Sequence, residues 1–228
     1  MGRIAGGKEP LVRSRKIEQY KTTLALTEEQ REVLVGLLLG DAHLETRNHG
    51  GTYRLKIEQG EVHREYVDHL YALFKDWVLT PPQPKEVVSR GHASVNWWFQ
   101  TVSHGAFRFY AQQFYRDGRK HVPQLIHRWL TPRGLTYWFM DDGSTKWQQS
   151  RAVLLNTQGY DRSEVERLAQ VLNQGFALET LLRKQAEGHQ IVIVGRSLER
   201  FVDLVGPFLL PSMVYKVPRA GQTQLPKR

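Results

Sequence analysis

Two aspartates close two apolar runs. Leu34-Val-Gly-Leu-Leu-Leu-Gly-Asp-Ala42 stops on Asp41, and Leu135-Thr-Tyr-Trp-Phe-Met-Asp-Asp-Gly143 stops on Asp142. An acid at a helix C-terminus meets the negative end of the helix dipole and is disfavoured there. Two such acids at matching places need a reason, and a divalent cation supplies one. Mg²⁺ takes hard oxygen ligands and commonly uses one or two carboxylates with substrate phosphates. Packing the two helices together would bring Asp41 and Asp142 to one end, where like charges repel unless metal lies between or beside them. That arrangement suits metal-assisted in-line hydrolysis of phosphodiesters, one strand per carboxylate. Two lysines are matched in the same way. Lys120 lies 79 residues after Asp41, Lys216 lies 74 after Asp142, and each shortly precedes Val-Pro. They would stabilise transition-state charge or polarise an attacking water.

The elements that must position these residues are legible. Thr27-Glu-Glu-Gln30 is a capping box that starts a helix at Glu28, running to about Gly40. Gly36 and Gly40 share one face of it, which implies close approach by another backbone. Thr131-Pro132 starts the second helix, to about Asp142. Hairpins are expected over 42–47 and 52–59, 85–89 and 93–102, and 178–185 and 190–194, with a strand at 151–158. Tyr53, Leu55 and Ile57 alternate inward against Arg54, Lys56 and Glu58. An amphipathic helix is expected over 61–78 with Val62, Tyr66, Leu70, Phe74 and Trp77 on its apolar stripe. His63 and His69, six apart, read as surface or packing residues. A capping box at Ser163–Glu166 opens a further helix, and Ser197 caps the last. The chain is therefore one pattern used twice: helix ending in an acid, hairpin, helix, hairpin, helix. Duplication at matched spacing places the copies about a pseudo-two-fold axis. The division is a basic arm over 1–26 with a short helix around 11–20, repeats over 27–130 and 131–219, and a loose polar tail over 220–228.

A net charge of +9 points to a polyanion, nucleic acid before membrane. No apolar stretch reaches the roughly 18 residues of a spanning helix. The absence of cysteine excludes thiolate nucleophiles, disulfides and cysteine zinc sites. Glu9 and Glu18 in the basic arm count against a transit peptide. Hairpins can enter the DNA major groove. The candidate readers are Arg54, Lys56, Arg90, Asn96, Arg151, Arg183, Gln185 and Gln190.

The paired Leu34–Ala42 and Leu135–Gly143 segments resemble the motifs of LAGLIDADG homing endonucleases in their two-repeat, single-chain form. So do Asp76-Trp-Val-Leu-Thr-Pro-Pro82, Leu155-Asn-Thr-Gln158 and Tyr215-Lys-Val-Pro218. The likeness spans roughly residues 27–219. It implies an α+β fold of two pseudo-symmetric αββαββα repeats with saddle-shaped antiparallel sheets. It implies a monomer that cuts both strands of double-stranded DNA at one long, asymmetric site, using Mg²⁺ or Mn²⁺. Asp41 and Asp142 would bind metal with the carbonyls of Gly40 and Asp141. Lys120 and Lys216 match the basic pocket residues, and Glu58 and Gln158 match positions near the scissile phosphates. The compartment stays open, organelle or bacterial cytoplasm, wherever the host intron resides. The sequence departs from the motif at Ala42, in place of the closing Gly, and at Tyr137 and Asp141, where the first helix has Gly36 and Gly40. The helix seam is therefore expected to be asymmetric, with no glycine facing Gly36 and Gly40. Asp141 competes with Asp142 as the site acid; alignment directly before the small closing residue favours Asp142. The alternative from another class is an RNA maturase that assists splicing of its host intron. A DNA-binding regulator on the same scaffold is a third reading.

Overall fold

The computed structural model describes residues 9–225 apart from Arg90 and Gln148, with side chains from Arg15 onward. Arg90, one of the candidate readers, lies outside the described residues. Helix α1 (Glu9–Lys21) leads the chain and is fastened by Tyr20 Oη, which donates to the Asp76 carbonyl at 2.5 Å. An αββαββα unit follows, twice. The first comprises α2 (Glu28–Leu39), β1 (His43–Glu45), β2 (Arg54–Gly60), α3 (Arg64–Leu73), β3 (Gln83–Ser89), β4 (His92–Gln100) and α4 (Arg108–Phe114). A short ribbon of β5 (Tyr115–Arg116) and β6 (Arg119–Lys120) connects it onward. The second comprises α5 (Pro132–Asp142), β7 (Gly143–Thr145), β8 (Val153–Leu155), α6 (Arg162–Phe176), β9 (Thr180–Gln185), β10 (Gly188–Ile193) and α7 (Leu198–Val205). The sheets have matching orders, β1-β2-β4-β3 and β7-β8-β10-β9, and every pairing is antiparallel.

The two acid-bearing helices start where the caps place them. Thr27 and Gln30 satisfy one another's backbone amides, both at 3.1 Å, and Thr131 Oγ1 accepts from the Gly134 amide at 3.2 Å. Both helices are buried along nearly their whole length, because they pack on one another and lie within one core cluster with the inner residues of both sheets. That explains apolar residues on every side rather than on one stripe.

Several local expectations are corrected. The segment over 61–78 is not one helix: 3₁₀ turns at Glu61–His63 and Lys75–Trp77 flank α3. The tighter period takes Val62 off the stripe and leaves it 88% exposed. The capping box of α6 is Asp161 with Glu164, which accepts from the Asp161 amide at 3.0 Å; Ser163 lies inside the first turn. Ser197 Oγ accepts from the Glu179 amide instead of capping α7. The strand expected over 151–158 pairs only at Val153–Leu155. Where a loose tail was expected, Arg219–Gln222 forms α8, with Gly221 buried against Val202, Leu198 and Val217.

Candidate active site

Helices α2 and α5 cross at a glycine contact that decides where the acids go. A Cβ added at Gly36 would lie 2.2 Å from the Gly134 carbonyl oxygen, and one added at Gly40 would lie 2.3 Å from Asp141 Oδ2. The seam therefore does contain a glycine counterpart. Gly134 stands near the start of α5, whereas Tyr137, aligned with Gly36 in the duplication, turns to α3 and shares a hydrogen bond with His69 Nε2 at 2.7 Å. Further contacts lock the repeats. Arg133 pairs with Glu32 at 3.0 Å, Tyr160 Oη donates to the Leu39 carbonyl at 2.9 Å, and His63 stacks on Tyr215 with rings 4° from parallel.

The helix ends meet as the duplication requires. The Asp41 amide donates to Asp141 Oδ2 at 3.0 Å. Asp41 itself is exposed, while Asp141 and Asp142 are half-buried. Lys120 Nζ donates to the Gly40 carbonyl, and Lys216 Nζ donates to the Asp141 carbonyl at 3.0 Å and to the Met140 carbonyl. Each lysine thus reaches the carbonyl immediately before the acid of its own repeat. Two buried donors, Tyr66 Oη and Trp138 Nε1, are turned to this cluster, Tyr66 beside Asp141 and Trp138 beside Asp142.

The electrostatics follow from three carboxylates in a partly dry pocket. Burial, then the Asp41 charge, pushes the Asp142 carboxyl up to about 7, against the pull of Lys120 and Lys216. The same two causes raise Asp141 well above the carboxylate range. Burial lowers the ammonium pKa of both lysines, and the acids only partly offset it.

A pH dependence follows. The folded Asp142 value lies above its ordinary 3.8, so the folded protein holds a proton that the unfolded chain releases. This contribution to stability is complete below about pH 4 and is lost as pH rises through about 7. In EDTA the Tm of Asp142→Asn relative to the parent should rise by several degrees across that window, because the variant lacks this one titration. Thermal unfolding at a series of pH values checks this.

Of the remaining expected site residues, Gln158 sits in the turn after β8, its backbone against Gly188. Glu58 stands on the outer face of the first sheet, bonded to Lys85 at 3.0 Å and Asn96 at 2.9 Å. Burial raises its carboxyl, but those hydrogen bonds outweigh it and hold the pKa below the usual range. The residue that reaches the acids is Gln59, whose Nε2 donates to Asp41 Oδ2 at 2.9 Å and lies 3.4 Å from Asp141 Oδ1. The alternation that turned Leu55 and Ile57 inward carries Gln59 to the same side. In the second repeat, register puts Thr157 at that place, and its Oγ1 donates to the His189 carbonyl at 2.7 Å.

Residues 31–201 match the LAGLIDADG DNA endonuclease family. The chain belongs to that family. It is 32% identical over 212 residues to a probable intron-encoded endonuclease of Wickerhamomyces canadensis, covering 90% of each protein. It is 30% identical over 218 residues to the DNA endonuclease I-ChuI of Chlamydomonas applanata, covering 89% of this chain and all of that one. Its fold matches the homing endonuclease I-WcaI bound to its DNA recognition sequence, with a TM-score of 0.84, 28% identity and 95% of each chain covered.

Within this LAGLIDADG fold the candidate readers divide. Arg54, Lys56 and Asn96 share the outer face of the first sheet, where Arg54 pairs with Glu45 at 2.6 Å and Lys56 with the same acid at 3.7 Å. Arg183, Gln185 and Gln190 share the outer face of the second, although Gln190 is only 6% exposed. Arg151 does not join them. It follows the parity of Val153 and Leu155, and its guanidinium pairs with Glu199 on α7.

Proposed function

We propose that this protein is a sequence-specific, intron-homing DNA endonuclease that works as a monomer and hydrolyses one phosphodiester on each strand of a long, asymmetric site. The observation that carries the reading is the matched delivery of one acid and one lysine per repeat to a common centre, Asp41 with Lys120 and Asp142 with Lys216. A merely binding protein has no need to hold repelling carboxylates together. A maturase that only assists splicing has no need of them either.

The donors suit Mg²⁺ or Mn²⁺. The carboxylates of Asp41 and Asp142 and the carbonyls of Gly40 and Asp141 are hard oxygens. Among the described residues no group of three or more His, Cys, Asp or Glu side chains converges as a cage. Mg²⁺ sites that rely on water and substrate phosphates look like this. When bound, the cation supplies Lewis-acid stabilisation of charge developing on the scissile phosphate. The lysines do the rest from the flanks. Half-buried, they bring positive charge to the pocket, where low dielectric strengthens its effect on the phosphate oxygens. Gln59 fixes the exposed Asp41 carboxylate by its amide.

Gln59→Ala should therefore slow cleavage about ten- to a hundredfold with binding nearly unchanged, as loss of a ligand-orienting group does. Single-turnover cleavage beside a gel-shift titration separates the two effects. The nuclease reading itself is tested by selecting cut sites from a randomised duplex library with Mg²⁺. One long consensus is expected, and its loss in EDTA.

A further inference from the structure

The two sheets turn different chemistries outward. In the first, the rungs His43–Lys56–Gln100, Glu58–Trp98–Gln83 and Asn96–Lys85 face the same side. With Glu45 and Arg54 this face is a network of ion pairs: Lys56 lies 3.9 Å and Lys85 3.0 Å from Glu58, and Glu45 is shared by Arg54 and Lys56.

The second face is built otherwise. One rung runs Ser144–Leu154–Val192–Leu181 across all four strands. Leu154 and Val192 are each only 7% exposed, yet they stand apart from the core cluster that takes their neighbours Val153, Leu155, Ile191 and Ile193. They form a dry floor on the outer side. Leu181 rises beside it, 58% exposed. The next positions are amides: Gln190 Nε2 donates to Asn156 Oδ1 at 2.6 Å, and Gln185 lies 3.5 Å from Gln190. The cations of this face are Arg183 and, one residue past β7 on the parity of Ser144, Lys146.

In the major groove, thymine alone offers a methyl group, adenine pairs best with Asn or Gln, and guanine with Arg or Lys. An apolar rung set against a guanine or cytosine edge would leave that edge's polar atoms unpaired. We propose that the second repeat reads a half-site dominated by A·T pairs, with a thymine methyl seated on Leu181 over the Leu154–Val192 floor and adenines taken by Asn156 and Gln185, which Gln190 braces from beneath. The charged first face reads the other half. The proposal rests on the DNA endonuclease reading above and names the class of sequence that one side of the site takes.

Sites selected by the full-length protein and by Leu181→Arg test it. Leu181 is exposed enough that the change should not disturb folding. Base pairs whose preference differs between the two mark the half read by the second repeat. That half should be mostly A·T for the parent, with thymine at the altered pair shifting to guanine in the variant. Replacing that thymine by uracil removes the methyl alone. Affinity of the parent should fall about fourfold, the worth of one buried methyl group, while Leu181→Ala should be indifferent to it. A G·C-rich half-site, an unchanged preference in Leu181→Arg, or equal binding of thymine and uracil would overturn the proposal and leave the nuclease reading standing. No cut site at all would remove both.

Discussion

Asp142→Asn should leave DNA binding in place and slow double-strand cleavage by about a thousandfold or more. The side chains are isosteric, so the packing of residue 142 beside Trp138 is preserved. On the proposed reading, the change removes one of the two negative charges that would hold a divalent cation at the scissile phosphate. An amide oxygen is a weaker ligand and neutralises nothing. Removing the charge next to Asp41 also relieves a cost, because burial and then the Asp41 charge raise the Asp142 pKa. The variant should therefore be at least as stable as the parent in EDTA while failing to cut. Loss of activity joined to retained or increased Tm separates a site role from a structural one. Single-turnover kinetics on labelled duplex and thermal unfolding supply both numbers. A variant that cuts both strands at the parental rate would move the site acid elsewhere, Asp141 being the first alternative.

Gly36→Ala should cost about 2–4 kcal/mol of stability and should also reduce cleavage in whatever remains folded. The added methyl would lie 2.2 Å from the Gly134 carbonyl oxygen, a backbone atom that no rotamer change can move away. The helices must separate, and they carry the acids on their ends. Denaturant unfolding measures the first effect. Cleavage by the folded fraction measures the second, and full activity with normal stability would mean that the glycine contact is not what sets the spacing. A substitution at an open glycine such as Gly105, where an added Cβ meets nothing within 4 Å, is the control.

The sequence was most informative where the duplication repeated a chemical oddity. Asp41, Asp142, Lys120 and Lys216 could be found together because each had a twin at nearly the same spacing. The structure brings all four to one place. Gly134 was missed for the opposite reason. It has no twin, and beside Thr131 and Pro132 it reads as part of a helix start rather than as half of a helix crossing. Gln59 was hidden by its neighbour. An acid at Glu58 looks like the stronger candidate near a phosphate, yet the two-residue period of the strand puts Gln59 on the side of Asp41 and turns Glu58 toward Lys85 and Asn96. Arg151 misled because the strand expected over 151–158 pairs only at Val153–Leu155, which leaves Arg151 outside it. Only the short pairing of Val153–Leu155 shows which way it points. Val62 failed because a 3₁₀ turn leaves little trace in an apolar pattern that fits an α-helix. Long helices and hairpins are fixed by caps and periodicity over many residues. Which of two adjacent side chains meets a site depends on register and on helix ends, where one residue changes everything.

The central claim is that two acids, one from each repeat, cut two strands at one centre. The most direct measurement maps cleavage on both labelled strands of a selected target in Mg²⁺, for the parent and for Asp41→Asn with Asp142→Asn. The account predicts one broken phosphodiester per strand with the parent, and a double variant that binds the same duplex and breaks neither. Cleavage of either strand by the double variant would contradict it.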